Sequence, residues 1–246
     1  MNIKLNCDMG ESFGIYTIGL DKEIMPLIDM ANLACGFHAS DPVTMHKSIK
    51  MAKEQGVEIG VHPAYPDLVG FGRREMNCSQ EEIVAFVLYQ IGALDALCRS
   101  HGQKVTYVKP HGALYNSMMR DETIFKAIAK AISKYDNTIK LMILSSSKNS
   151  EYETLAKKYH IELLYEVFAD RAYTDKGFLL SRTQKGAVIS NKQEVLARAK
   201  LLFEKNILKT IHGKELKLKV DTICVHCDNE SALELIKSLH KLKNEY

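Results

Sequence analysis

The sequence predicts a parallel α/β fold closed into a TIM-like (β/α) barrel, built as one domain over residues 1–246. Three observations predict it. Seven short apolar runs, at 3–7, 30–35, 57–61, 105–109, 139–144, 162–168 and 221–226, carry the Ile, Val and Leu expected of strands covered on both faces. Amphipathic helical stretches alternate with them, as in repeated β–α units. Chemistry-bearing residues end nearly every run, including the first and the last. Only a ring brings such ends together, because an open sheet gathers them at one switch point. A closed or nearly closed barrel follows, seven-stranded or distorted.

The first run leads into Asn6-Cys7-Asp8-Met9-Gly10-Glu11-Ser12. The second ends in Cys35-Gly36-Phe37-His38-Ala39-Ser40-Asp41, where Gly36 permits a bend that carries His38 to the rim. Asp41-Pro42 reads as an N-cap with proline at the first helical position, ahead of the Met45, Ile49, Ala52 stripe. The third run ends at His62 inside GVHPAYPDLVGFGRR, residues 60–74. Ser79 and Glu82 form a capping box before Ile83, Phe86, Val87, Ile91 and Leu94, and that helix is expected to stop near Gly102.

The fourth run ends in Lys109-Pro110-His111-Gly112-Ala113-Leu114-Tyr115-Asn116, with Asp121 capping a helix that carries Ile124, Ile128 and Ile132. The sixth ends in Phe168-Ala169-Asp170-Arg171-Ala172-Tyr173. Ser190 and Gln193 offer a second capping box before Val195, Leu196, Ala199 and Leu202. Residues 207–220 break the alternation with a hairpin around His212-Gly213. The seventh run ends in Val225-His226-Cys227-Asp228, followed by Asn229 as cap for Leu233, Ile236 and Leu239. No linker, low-complexity tract or internal repeat interrupts the series.

Composition excludes several function classes. A formal charge of +3 is nearly neutral for 246 residues, and the densest basic stretch, Lys214 to Lys219, alternates with Leu216 and Leu218 as a solvated strand face. A nucleic-acid partner is therefore not expected. No continuous apolar stretch of about eighteen residues is present, so no membrane span is expected, and the amino terminus lacks the pattern of a secretory signal. Six cysteines are too few for a disulfide framework, which fits a reducing cytoplasm. Cys224 and Cys227 nominally form a C-x-x-C, but strand periodicity sends them to opposite faces and no second pair completes a zinc ribbon. P-loop, G-x-G-x-x-G and G-x-S-x-G patterns are absent. Cys35 is the best-placed thiol, though a buried strand cysteine is usually inert.

Each rim residue has a bland reading beside its functional one. Asp8 can cap a turn or serve as metal ligand or general base. Glu11, close behind it, is a candidate for substrate contact. A lone histidine at a strand end is usually structural, but His38, His62, His111 and His226 recur at equivalent places. Arg73 and Arg74 leave a turn restricted by Pro63, Pro66, Gly70 and Gly72, and a planar guanidinium there suits a carboxylate or phosphate. Lys109 faces the barrel interior or its rim, where an uncompensated ammonium is costly, so it must meet Asp8, Glu11, a substrate carboxylate or a phosphate. Tyr115 and Asn116 share its loop. Asp170 and Arg171 either pair with each other or touch substrate.

NCDMGESFG, ANLACGFHASDP, GVHPAYPDLVGFGRR, YQIGAL, VKPHGALYN and FADRAYTDKGFLLSR together resemble the LamB/YcsF family, nearly end to end. The resemblance implies a barrel related to the glycoside hydrolase and polysaccharide deacetylase barrels. It also implies a 5-oxoprolinase: cleavage of the lactam 5-oxo-L-proline to L-glutamate, with ATP as co-substrate and subunits B and C as partners. Within that chemistry Asp8, His38, His62, Lys109 and His111 are the expected catalytic groups. Asp8, His62 and His111 are also a candidate divalent-metal set, and Glu11, Arg73, Arg74, Tyr115, Asn116, Asp170 and Arg171 are expected to hold substrate. Two residues depart from the family pattern: Cys227 and Ser40 stand where glycine is usual, the second expected to be harmless. The competing readings are a metal-dependent deacetylase and a non-catalytic substrate-binding subunit. A homo-oligomer is compatible with all three.

Overall fold

A computed structural model describes residues 3–181, 184–225 and 230–246 of the chain. Seven parallel strands close into a barrel: β1 (Lys4–Met9), β2 (Met30–Ala34), β3 (Glu58–His62), β4 (Val105–Val108), β5 (Lys140–Leu144), β6 (Leu163–Phe168) and β9 (Thr222–Cys224). β9 completes the ring by pairing with β6 on one side and β1 on the other. The odd insert between them is the antiparallel hairpin β7 (Ile207–Lys209) and β8 (Glu215–Lys217), at the place the His212-Gly213 turn predicts.

The short apolar strands are buried because helices cover them outside and side chains plug them inside. Met30, Tyr107 and Met142 pack with Leu164 in the amino-terminal half of the barrel. Gly60 is required there: a β-carbon on it would stand 2.1 Å from the Tyr107 ring, and the β3–β4 register shifts at this point. Above this plug the interior turns polar. Tyr107 donates its hydroxyl to Asn32 Oδ1 at 2.7 Å, Asn32 Nδ2 donates to Asn6 Oδ1 at 2.8 Å, and Asn6 Nδ2 donates to Thr222 Oγ1 at 2.9 Å. Buried amides are tolerated because each finds a partner. This layer is the floor of the rim site.

Around the barrel run α1 (Asp21–Ile24), α2 (Pro42–Gln55), α3 (Gln80–Ser100), α4 (Gly112–Met118), α5 (Glu122–Tyr135), α6 (Asn149–Lys157), α7 (Lys192–Lys205) and α8 (Glu230–Lys243). Asp41 caps α2 through Val43 N and Thr44 N, Ser79 and Glu82 close the capping box of α3, and Asp121 caps α5. α7 corrects the reading of its start. Asn191, not Ser190, accepts from Glu194 N, so the cap falls one residue later. The amide oxygen of asparagine serves as well as a serine hydroxyl.

By length and composition alone α3 is apolar enough to cross a bilayer. It packs on the barrel instead. Ile83, Val87, Ile91 and Leu94 are buried, Gln90 bonds both the N–H and the carbonyl of Ala64, and Asp95 pairs with Arg99 and Tyr135. Cys7, Cys35, Cys78, Cys98 and Cys224 are free thiols.

Candidate active site

The polar floor continues upward into charged groups at the carboxyl ends of the strands. Asp8 ends β1, and its Oδ1 receives Lys109 Nζ at 2.9 Å and Asn32 Nδ2 at 2.8 Å. Its Oδ2 faces His62 Nε2 at 3.4 Å. Burial alone would raise this carboxyl, but the charges of His62 and Lys109 outweigh it and hold Asp8 well below the usual range. The stabilisation from Asp8 is therefore present above its unfolded value and is lost as pH falls through the depressed one.

Gly10, at φ +69°, turns the chain so that Glu11 follows into the site, and its N–H is held by Asp21 Oδ2 at 2.9 Å. Burial raises the Asp21 carboxyl to about 6. Glu11 Oε1 lies 3.0 Å from His38 Nε2 and 3.6 Å from His111 Nδ1.

The imidazole tautomers follow from their partners. His62 Nδ1 meets the Lys109 carbonyl at 2.7 Å, and His111 Nε2 meets the Phe71 carbonyl at 3.0 Å. A carbonyl only accepts, so those nitrogens carry the protons. The remaining nitrogens, His62 Nε2 and His111 Nδ1, then face each other at 2.9 Å. Two lone pairs at that distance repel unless a proton or a cation lies between them. His38 stacks on His111 with ring centroids 3.8 Å apart and 6° between planes. Burial, then the neighbouring imidazoles, keep His38 and His111 neutral far below the usual histidine range. Glu11, His38, His62 and His111 bring one donor atom each to within 4.8 Å of the others.

Two loops knit this cluster. Ala113 N donates to the Gly72 carbonyl at 2.9 Å and His111 N to the Pro63 carbonyl at 2.8 Å. Gly72 is irreplaceable in space: at φ +63°, a β-carbon would stand 2.8 Å from His38 Cβ and 2.9 Å from His111 Cδ2. Ser40 is less well fitted. It adopts φ +74°, where a side chain costs about 1–2 kcal/mol, and its buried hydroxyl finds no partner. The serine is thus not harmless, and Ser40→Gly is expected to raise stability by about 1 kcal/mol, read from the midpoint of urea unfolding. An unchanged midpoint would refute this.

The sequence matches the LamB/YcsF family over residues 3–245. The chain belongs to the LamB/YcsF family. It is 47% identical over 239 residues to the A subunit of 5-oxoprolinase from Vibrio campbellii, covering 97% of this chain and 94% of that one. The 5-oxoprolinase A subunit numbered 2 of Pseudomonas putida is 48% identical over 237 residues, 96% of this chain and 92% of the other. The crystal structure of the lactam utilization protein from Thermus thermophilus superposes with a TM-score of 0.93 at 40% identity, covering 100% of this chain and 97% of that one.

In this LamB/YcsF chain the rim site opens into a cavity of about 600 Å³. Asp8, His62, Lys109 and His111 form its charged end, Arg73 and Asn116 lie along it, and Leu144, Phe168, Phe178, Leu179 and Leu180 give it an apolar wall. The two arginines part company. Arg73 lines the cavity with its guanidinium 5.3 Å from the Phe71 ring centroid, whereas Arg74 turns out to Asp67 and holds that carboxyl at about 2. Arg171 lines the cavity yet spends its guanidinium on the carbonyls of Ala187 at 3.1 Å and Leu180 at 2.6 Å, fastening the segment that forms the apolar wall. Asp170 lies outside the cavity lining.

Tyr115 turns its hydroxyl inward to Glu166 Oε2 at 3.0 Å. Cys35 bonds the Leu33 carbonyl, and burial pushes its thiol up to about 12, unsuited to nucleophilic work. His226, Cys227, Asp228 and Asn229 lie outside the described residues.

Sequence reasoning missed Glu166, Asn6 and Asn32. The signal was there: polar residues at inward positions of otherwise apolar strand runs, with Glu166 the single charge in Leu-Leu-Tyr-Glu-Val-Phe. Glu166 is fully buried, and its Oε1 lies 2.8 Å from Lys109 Nζ.

Proposed function

We propose that this chain is the ring-opening component of an ATP-dependent 5-oxoprolinase, converting 5-oxo-L-proline to L-glutamate together with subunits B and C in the cytoplasm. The observation that carries the reading is the meeting of Asp8, His62 and His111 at one end of a cavity that also holds an arginine. Relatives of 47–48% identity, named for the A subunit of 5-oxoprolinase, supply the substrate class.

A lactam is an unactivated amide. Its hydrolysis needs a base for water, stabilisation of the developing oxyanion and a proton for the departing ring nitrogen. Asp8 keeps its charge and faces the cavity, so it receives the proton of the attacking water, with His62 Nε2 beside its Oδ2. That proton passes from Asp8 through His62 Nε2 to His111 Nδ1, and His111 delivers it to the ring nitrogen as the carbon–nitrogen bond breaks. Arg73 pairs with the substrate carboxylate, and the apolar wall takes the ring methylenes. Phosphoryl transfer from ATP to the lactam oxygen makes the carbon electrophilic. With no P-loop in the sequence, the nucleotide enters either at an atypical site on this rim or on a companion chain.

The donor set also fits a divalent metal. Three imidazoles and a carboxylate converge, two lone pairs face each other, and two ring N–H groups are anchored on backbone carbonyls, as ligating histidines are. When bound, such an ion would polarise the carbonyl or a water and would take the His62 and His111 lone pairs, standing in place of their proton transfer. Glu11, His38, His62 and His111 would hold it. Asp8, part of the set expected from sequence, is not among the four donors that converge. Purified chain dialysed against Zn²⁺ is expected to retain about one equivalent, and His38→Ala clearly less; equal retention by both refutes the assignment. ATP-independent deacetylation by the isolated, metal-loaded chain would favour the deacetylase reading instead.

A further inference from the structure

Glu166 is the one charged side chain of β6 in the barrel interior, and neither the sequence motifs nor the proposed reaction assigns it a task. Its surroundings define one. Lys109 Nζ sits between two carboxylates at nearly equal distance, 2.9 Å from Asp8 Oδ1 and 2.8 Å from Glu166 Oε1. Asn6 Oδ1 and Cys224 Sγ also lie near it, each 3.2 Å away. The two carboxylates differ in access. Asp8 is a quarter exposed and lines the cavity, while Glu166 is sealed and takes the Tyr115 hydroxyl on its other oxygen.

Counting charge, Asp8 and Lys109 alone would cancel, whereas Asp8, Lys109 and Glu166 together carry one net negative charge. The sealed carboxylate is the inner counter-ion, so the net charge is left on the oxygens that face the cavity. A lysine on a four-carbon stem has many rotamers, and one carboxylate alone would let the ammonium swing about it. Two carboxylates, one of them fixed by a tyrosine, restrict where it can sit.

We infer that Glu166 is a positioning residue for the proposed reaction: held by Tyr115, it anchors the Lys109 ammonium from inside the barrel, so that Lys109 orients Asp8 toward the cavity instead of neutralising it. The inference rests on the reaction proposed above. It assigns Tyr115 to the support of this anchor rather than to substrate contact.

The test is steady-state 5-oxo-L-proline turnover by the complex assembled with subunits B and C, comparing wild type, Glu166→Gln, Glu166→Asp, Tyr115→Phe and, as a control, His111→Ala. Glu166→Gln is expected to lower kcat tenfold or more, of the order lost when a group that orders a reacting side chain is removed, with KM changed less than about threefold because nothing that touches substrate is altered. Glu166→Asp should recover part of the loss. A wild-type kcat in Glu166→Gln, or a loss confined to KM, overturns the inference. If Glu166→Gln fails to fold, Tyr115→Phe, which keeps every charge, decides: a severalfold fall in kcat at constant KM supports the anchor, and an unchanged kcat overturns it. If His111→Ala also turns over at the wild-type rate, the proposed reaction is wrong and the positioning role falls with it.

Discussion

Replacing His111 with alanine is expected to slow glutamate release from 5-oxo-L-proline by about a hundredfold or more in the assembled complex, the usual contribution of a placed acid–base group. The expectation comes from its surroundings. The ring is stacked on His38, anchored through Nε2 on the Phe71 carbonyl and aimed through Nδ1 at His62, so its unprotonated nitrogen has one direction to act in. Burial holds it neutral, able to take and return a proton without first losing one. His62 belongs to the same unit, so the double variant should be scarcely slower than the slower single one, since groups that act together lose their effect together. Rates of wild type, the two single variants and the double variant check this. A normal rate for His111→Ala would remove it from the chemistry.

The largest expected effect on stability is at Lys109. Lys109→Met should cost about 3–5 kcal/mol, because it strands Asp8 and the sealed Glu166 without the cation they share. In the native chain burial works against the ammonium, but the carboxylates of Asp8 and Glu166 outweigh it and hold Lys109 charged far above its ordinary value. Without the lysine, the two carboxylates lose the cation between them. The penalty is then greatest above their unfolded values and shrinks as pH falls and one of them takes a proton. Urea unfolding of both proteins at pH 7.5 and pH 5 checks the direction: the gap should narrow at the lower pH. Equal stability at pH 7.5, or a gap that widens on acidification, would contradict it.

Much of this was legible in the residues alone. Apolar runs bounded by helix caps located all seven barrel strands to within a residue or two, since buried parallel strands have little freedom of composition. The ring was legible because the residues ending β1, β2, β3 and β4 made sense only if brought together. The family resemblance reached the same fold by a separate route. Geometry beyond the chain's own period was not legible. Arg73 and Arg74 are neighbours of like chemistry, and only the Asp67 carboxylate under the loop separates them. Glu166 lay in a strand read as apolar, and its meaning depends on a lysine 57 positions earlier. Ser40 looked innocuous because a backbone angle leaves no mark in composition. Glu11 and His38 joined the imidazole cluster through a turn at Gly10 and a stack on His111, contacts that no spacing rule encodes.

The claim on which the rest depends is that this chain, rather than a companion, opens the ring. Glutamate release and ATP consumption measured together, in a complex where this chain alone is varied, test it most directly. Wild type is expected to form glutamate with ATP consumed, and the chain with Asp8, His62 and His111 all replaced by alanine, folded and assembled, is expected to form none above background. Undiminished glutamate formation by that triple variant would place the chemistry elsewhere.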